Sequence, residues 1–235
     1  MSSEKPLNEM PDVVLSAVMD HLDFRSIMMM RKVCHDFRNF IDEVVPSSSM
    51  KNILLIVRPY DVKLILEDSK TEARYEKIYA LQNIWNDLNI ILKHQKGVAK
   101  SFFVGSDNQE DKEACEKAHS KFLNQLQNNL VARKYPLKVA NMRFFVNHQH
   151  EIMPVLPYIN SEKLERISIY HAHELERPML KLDEVVETKQ WKNAKELIIL
   201  RCYVVEPLEK FAHFERCKIS VKTISLEFLR HLIEV

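Results

Sequence analysis

From Met10 to Ile41 the chain reads MPDVVLSAVMDHLDFRSIMMMRKVCHDFRNFI, a block whose apolar residues recur at helical spacing and which nothing later resembles. Val14, Leu15, Val18, Met19 and Leu22 form a first stripe. Pro11 suits its opening turn, where a missing N–H has no intrahelical partner, and Asp12 favours the positive end of the helix dipole. Asp23 offers an N-cap for a second short helix through Ile27 and Met30, and Val33, Phe37, Phe40 and Ile41 make a third stripe. Met28, Met29 and Met30 cannot all face one core, so at least one is expected at the surface, with Met30 inside. Three such helices enclose little core, and a unit this small leans on a neighbouring domain or on a partner.

Pro46-Ser47-Ser48-Ser49 reads as a linker, and beyond it the pattern turns to strands. Residues 52–57 and 62–66 flank Arg58-Pro59-Tyr60-Asp61 as strand, turn and strand, and 98–104 is a further strand. Residues 72–92 are mixed and carry no assignment. A helix is expected over 109–133, with Ala114, Ala118, Phe122, Leu126 and Leu130 at four-residue steps, acids at its start, Arg133 and Lys134 at its end and Pro136 beyond. Strand-like pieces at 142–146, 165–170, 196–200 and 217–221 then alternate with helix-like pieces near 151–159, 181–194, 207–214 and 225–234. The expected fold class is therefore α+β or α/β: a three-helix block, then a strand–helix alternating body. The 30 residues from Ile167 to Leu197 and the 22 from Leu197 to Ile219 suggest an irregular leucine-rich-repeat-like solenoid. No LxxLxLxxN signature is present, so a plain α/β sheet layered with helices is the other form.

Composition removes several function classes. Of 235 residues, 34 are basic and 33 acidic, a net charge of +1, so no bulk attraction draws the chain to nucleic acid or anionic membrane. Residues 10–42 carry four basic and five acidic side chains, which argues against a helix-turn-helix DNA reader. Gly97 and Gly105 are the two glycines, without the spacing of a phosphate-cradling loop. Cys34, Cys115, Cys202 and Cys217 show no CxxC pair, and neither HExxH nor GxSxG occurs. His148, His150, His171 and His173 read as surface or loop residues rather than metal ligands. Trp191 reads as core. The opening MSSEKPLNEMPD has no apolar signal-peptide core and no run spans a bilayer, so cytoplasm or nucleus is the expected location. No catalytic residue, metal ligand or cofactor is assigned.

Residues 10–41 resemble the F-box. Met10-Pro11 stands at the family's Leu-Pro pair, Val14, Leu15 and Val18 at its helix positions and Leu22 at the helix end. Ile27 takes the second-helix leucine, and Val33-Cys34 with Phe37-Arg38 takes the closing Val-Ser…Trp-Arg element. Val13 departs most, standing where an acidic residue is usual. Downstream, RKYPLKV at 133–139, VLPYI at 155–159, LERISI at 164–169, QWKNAKEL at 190–197 and FAHFERCKI at 211–219 resemble the FTH domain that follows F-boxes in a large nematode family. The division expected is a polar tail at 1–9, an F-box at 10–45, an intermediate β-rich region at 50–107 and an FTH-like substrate-binding domain at 108–235. The resemblance implies a non-enzymatic substrate adaptor of an SCF (Skp–cullin–F-box) ubiquitin ligase. Met10, Pro11, Val14, Leu15, Val18, Leu22, Ile27, Val33 and Cys34 would contact the Skp adaptor, a cullin would follow through it, and the body would hold an unknown protein substrate. The alternative is a non-catalytic interaction scaffold no longer coupled to ubiquitination.

Overall fold

Alternating burial along the first strands shows how the body is organised. From Met50 to Val57 every second side chain from Ile53 onward is fully buried, while Leu54 and Ile56 between them are half-buried. That is the period of a sheet with one closed face. In a computed structural model the described residues are 6–44, 50–107, 111–172 and 177–223. A 3-10 turn at Leu7–Glu9 leads into α1 (Asp12–His21), α2 (Phe24–Met30) and α3 (His35–Val44). There follow β1 (Met50–Val57), β2 (Asp61–Asp68), β3 (Arg74–Ala80), α4 (Ile84–His94), β4 (Ala99–Ser106), α5 (Lys112–Val131), β5 (Val139–Val146) and β6 (Arg166–His171). The chain continues through β7 (Met179–Leu180), α6 (Lys189–Asn193), β8 (Glu196–Leu200), β9 (Tyr203–Val204) and β10 (Arg216–Lys218).

Eight strands form one mixed sheet in the order β10-β8-β6-β5-β4-β1-β2-β3, and β7 pairs with β9 separately. β1, β2 and β3 are antiparallel; from β1 through β4, β5, β6 and β8 to β10 every pairing is parallel. Register aligns Leu66, Ile53, Phe102, Met142, Ile167 and Leu197 across the closed face, and Leu64, Leu55, Val104, Phe144, Ile169 and Ile199 in the next row. All twelve belong to one apolar cluster, which also takes in Leu88 and Ile91 of α4 and Phe122 and Leu126 of α5. Each side chain buried in this way stabilises the fold by roughly 1.5–3 kcal/mol. N-terminal helices followed by a mixed sheet with helices is the α-block-plus-α/β organisation expected from the pattern.

The connectors are shorter than the expected helices. Residues 151–159 contain two 3-10 turns, Gln149–Glu151 and Leu156–Tyr158, because Pro154 and Pro157 remove the N–H groups a longer helix needs. Residues 181–194 hold a 3-10 turn at Val185–Glu187 and the five-residue α6, whose N-cap Thr188 accepts from the Trp191 N–H at 3.2 Å. Residues 207–214 supply a 3-10 turn at Leu208–Phe211. The unassigned stretch 72–92 holds β3 and most of α4. The helix expected at 225–234 lies outside the described residues.

Against α5 the core contains an ionisable pair. His119 and Glu151 are buried, with Nδ1 and Oε1 3.2 Å apart, and Glu151 Oε2 accepts backbone N–H groups from Asn147 at 2.5 Å and His148 at 3.2 Å. Burial pushes the carboxyl pKa up, but the His119 contact and the two N–H donors outweigh it and leave it lowered below 4.5. A depressed folded pKa stabilises above the unfolded value and loses that contribution as pH falls through the folded one. Glu151→Gln should therefore cost about 1–3 kcal/mol at neutral pH, where a carboxylate with three partners is lost. Thermal melts of the two proteins should converge as pH falls from neutral through and below the ordinary carboxylate range. Parallel curves would show that the carboxylate is not held in its charged form.

Candidate functional site

The N-terminal block closes a small core of its own. Leu15 and Met19 from α1, Ile27 from α2, and Phe37 and Ile41 from α3 form a second apolar cluster, with Met10, Leu22, Met28, Met30, Cys34 and Phe40 packed half-buried against it. Met29 is exposed, as three consecutive methionines require. Pro11 stands at the N-cap rather than inside the first turn, and the Val14 and Leu15 N–H groups donate to its carbonyl. Asp23 caps α2, accepting from the Ser26 N–H at 2.7 Å, and the Ser26 hydrogen bonds lower its pKa. At the α2 end Arg31 makes a fork to both Asp42 oxygens, at 2.7 and 2.8 Å, which ties α2 to α3.

The residues expected to meet a partner divide into two groups. Leu15 at 4% exposure and Ile27 at 1% face the block's own interior. Met10, Val18, Leu22 and Cys34 are half-buried, and Pro11, Val14 and Val33 are exposed. Val14, Val18 and Leu22 fall at four-residue steps, so they share one side of α1 and leave a partly open apolar stripe. Val13, at 81%, is the most exposed large apolar side chain among the described residues. An unpartnered apolar edge in front of a closed core suits burial by another protein.

Cys34 precedes α3, and its Sγ accepts from the Phe37 N–H at 3.5 Å. A thiol is a weak acceptor in an N-cap geometry that a hydroxyl fills well. Cys34→Ser should therefore stabilise the block by roughly 0.5–1 kcal/mol, read as a higher denaturation midpoint. A lower midpoint would show that sulfur packing, not capping, decides this position.

The block is fastened to the body. Phe24 joins the body's apolar cluster and Met28 packs against both clusters. Phe24 also meets the His94 ring edge-on at 6.4 Å. Lys93 Nζ donates to the Asp42 carbonyl at 3.0 Å and Lys96 Nζ to the Val44 carbonyl at 3.3 Å, so cations from the α4 end satisfy the last turn of α3. Lys70 Nζ donates to the Asp20 carbonyl. A cleft of about 300 Å³ remains between α2 and the β2–β3–α4 corner, lined by Phe24, Met28, Leu66, Tyr75, Tyr79 and Asp87 among others. The lysine contacts leave no signal in sequence, because each joins residues about 50 positions apart that only the fold brings together. Phe24 had one, standing three residues before Ile27.

Cys115 and Cys202 are buried, and burial pushes the Cys202 thiol up to about 11. Among the described residues no three His, Cys, Asp or Glu side chains are grouped to hold a metal ion. His148 and His150 are exposed and stack at 5.2 Å, as surface residues do. His171 does not: it is buried at 5% exposure, because its place at the end of β6 turns it toward the closed face. His173 lies outside the described residues. No helix among them is long and apolar enough to cross a membrane.

Comparison with protein families gives two matches, an F-box domain over residues 7–49 and an FTH domain over residues 120–234. Both are adaptor-type domains rather than enzymes, and F-box domains in general bind the Skp adaptor and through it a cullin. No curated protein and no solved structure matches the chain. The helical block with its open apolar edge, followed by the sheet-based body, is thus an F-box domain joined to a chain that carries an FTH domain.

Proposed function

We propose that the protein is a substrate-recognition adaptor of an SCF ubiquitin ligase acting in the cytoplasm or nucleus. The observation that carries this reading is the half-open apolar edge of the F-box, backed by a closed core and fixed to the body by Phe24 and three lysines. Met10, Pro11, Val14, Val18, Leu22, Val33 and Cys34 would pack against the Skp adaptor, while Leu15 and Ile27 hold the core behind them. The division into an F-box at 10–45, a β-rich region at 50–107 and a substrate-binding unit at 108–235 fits this assignment of work. Parallel strands in sequence order, with their connectors packed on one face, support reading the body as an irregular solenoid. The protein would make and break no bonds. It would raise the local concentration of substrate lysines near a ubiquitin-charged enzyme, and a rigidly attached F-box keeps that distance constant.

One observation favours the uncoupled scaffold as a second reading: Val13 exposes an apolar side chain where the F-box pattern carries an acid. Deleting residues 1–45 in cells separates the two. An adaptor's bound proteins become longer-lived on deletion; a scaffold's are indifferent.

A further inference from the structure

We propose that the open face of the sheet docks a protein segment bearing an aspartate or glutamate side chain, with its carboxylate seated on Arg143. That the segment belongs to a ubiquitination substrate rests on the adaptor reading above; the docking chemistry does not.

Among the described residues the face opposite α4 and α5 is only partly covered. Leu54, Phe103, Phe145, Tyr170, Ile198 and Leu200 are half-buried and belong to neither apolar cluster, unlike their neighbours one residue away in each strand. Register brings Leu54, Phe103, Arg143, Ser168 and Ile198 into one row, and Ile56, Gly105, Phe145, Tyr170 and Leu200 into the next. Gly105 lets this surface form. A Cβ there would come within 2.5 Å of the Phe145 Cβ and 2.9 Å of the Phe103 ring, so the two aromatics close over a position that only glycine fills.

Arg143 belongs to the first row, and its guanidinium lies near an aromatic ring of each row. Its guanidinium is 5.9 Å from the centroids of both Phe103 and Tyr170. No carboxylate pairs with it among the described residues. Among the described residues the strand acids on this face are engaged elsewhere: Glu196 by Arg166 and Arg216, Glu76 by Lys63 and Arg74, Glu67 by Asn52 and Asp61 by Arg58. Arg201 reaches the same surface, over the Phe145 ring at 5.9 Å, from a backbone φ of 68° that a residue with a side chain adopts at a cost. A guanidinium within cation–π range of two aromatic rings is restrained by them, and its planar fork matches a carboxylate.

Charge chooses the occupant. A positive centre in an apolar, aromatic field suits an extended segment whose acidic side chain is flanked by apolar ones. A basic segment would meet like charge. Nucleic acid would need a basic track, and the net charge is +1. A second copy stacked about a two-fold axis through Arg143 would place like charges together.

The test uses the full chain and immobilised libraries of short peptides with degenerate apolar flanks and a fixed central Glu, Gln, phosphoserine or Lys. The Glu library should be retained at least about tenfold over Gln and Lys. Arg143→Gln should remove that preference, and Arg143→Lys, which keeps charge but loses the planar fork, should retain only part of it. Lys112→Gln on α5 should leave it unchanged. Unaltered thermal melts for both Arg143 variants exclude misfolding. Equal retention of Glu and Gln, or a Glu preference that survives Arg143→Gln, overturns the proposal. So does stronger retention of phosphoserine than Glu, which identifies a phosphate surface. So does a dimer in sedimentation that Phe145→Asp dissolves, which assigns the face to a second copy. Capture of the Skp adaptor by the same proteins is read separately. If Arg143→Gln still captures it while no library is selected, docking fails alone; if Glu is selected and the Skp adaptor is never captured, the adaptor reading fails alone.

Discussion

Val14→Asp abolishes capture of the Skp adaptor and leaves the body folded: that is the expected result of placing a charge on the open edge of the F-box. Val14 is 43% exposed, so the carboxylate stays hydrated in the free protein and the helix tolerates it. In a complex the same carboxylate would be stripped of water against an apolar surface. Burying one unpaired charge costs several kcal/mol, so affinity should fall by about a hundredfold or more, equivalent to about 2.7 kcal/mol. Val33→Asp, at 70% exposure, should weaken capture in the same sense. Leu15→Asp is the wrong experiment for this purpose. At 4% exposure Leu15 is part of the block's own core, and the charge would unfold the F-box rather than report on its partner. Titration calorimetry against purified Skp adaptor, with circular dichroism of each variant, distinguishes the two outcomes. Undiminished affinity for Val14→Asp would remove the α1 edge from the interface.

The largest stability effect belongs to Trp191. It is 1% exposed, meets Phe211 and Phe214 edge-on at 5.6 and 5.1 Å, and donates its indole N–H to the Lys210 carbonyl at 3.1 Å. Its own carbonyl contacts His213 Nε2 at 2.9 Å. One side chain thus holds α6 against the 3-10 turn at Leu208–Phe211, where the connectors are short and carry little regular structure of their own. Trp191→Ala removes the ring, leaves a cavity and strands the Lys210 carbonyl, for an expected loss of about 3–5 kcal/mol. Against a typical total of about 5–15 kcal/mol this leaves the body marginal. Trp191→Phe keeps most of the apolar volume and should cost about half as much. Urea denaturation checks both. A loss for Trp191→Ala below about 1 kcal/mol would show that this corner contributes little to the cooperative unit.

These two residues also show what the amino-acid pattern revealed. Trp191 could be read as core from Ala194 and Leu197 nearby, and it is. The F-box stripe could be read from spacing, but spacing does not say which side of a three-helix unit closes on itself. Leu15 and Val14 are adjacent in sequence and face opposite ways in energetic terms. β1 and β8 were legible because fully buried positions alternate with half-buried ones of similar apolarity, and β2 and β4 because each carries a short apolar run. β3 was not, because an edge strand carries Arg74, Glu76 and Lys77 and loses the apolar run. The connectors were over-read as helices, since apolar spacing around Pro154 and Pro157 persists where the backbone cannot continue. His119 and Glu151 are separated by α5 and β5, so their pairing is a product of the fold and leaves no local trace. The open face was equally hidden. Arg143, Phe103 and Tyr170 come from three strands, and only register brings them together.

The most direct test of the account is hydrogen–deuterium exchange on the full chain with and without purified Skp adaptor. The prediction is slowed exchange confined to the F-box, strongest over residues 11–22 and 33–38, with β4, β5 and β6 unchanged. No protection at saturating adaptor, or protection falling on the sheet instead of the helical block, would contradict it.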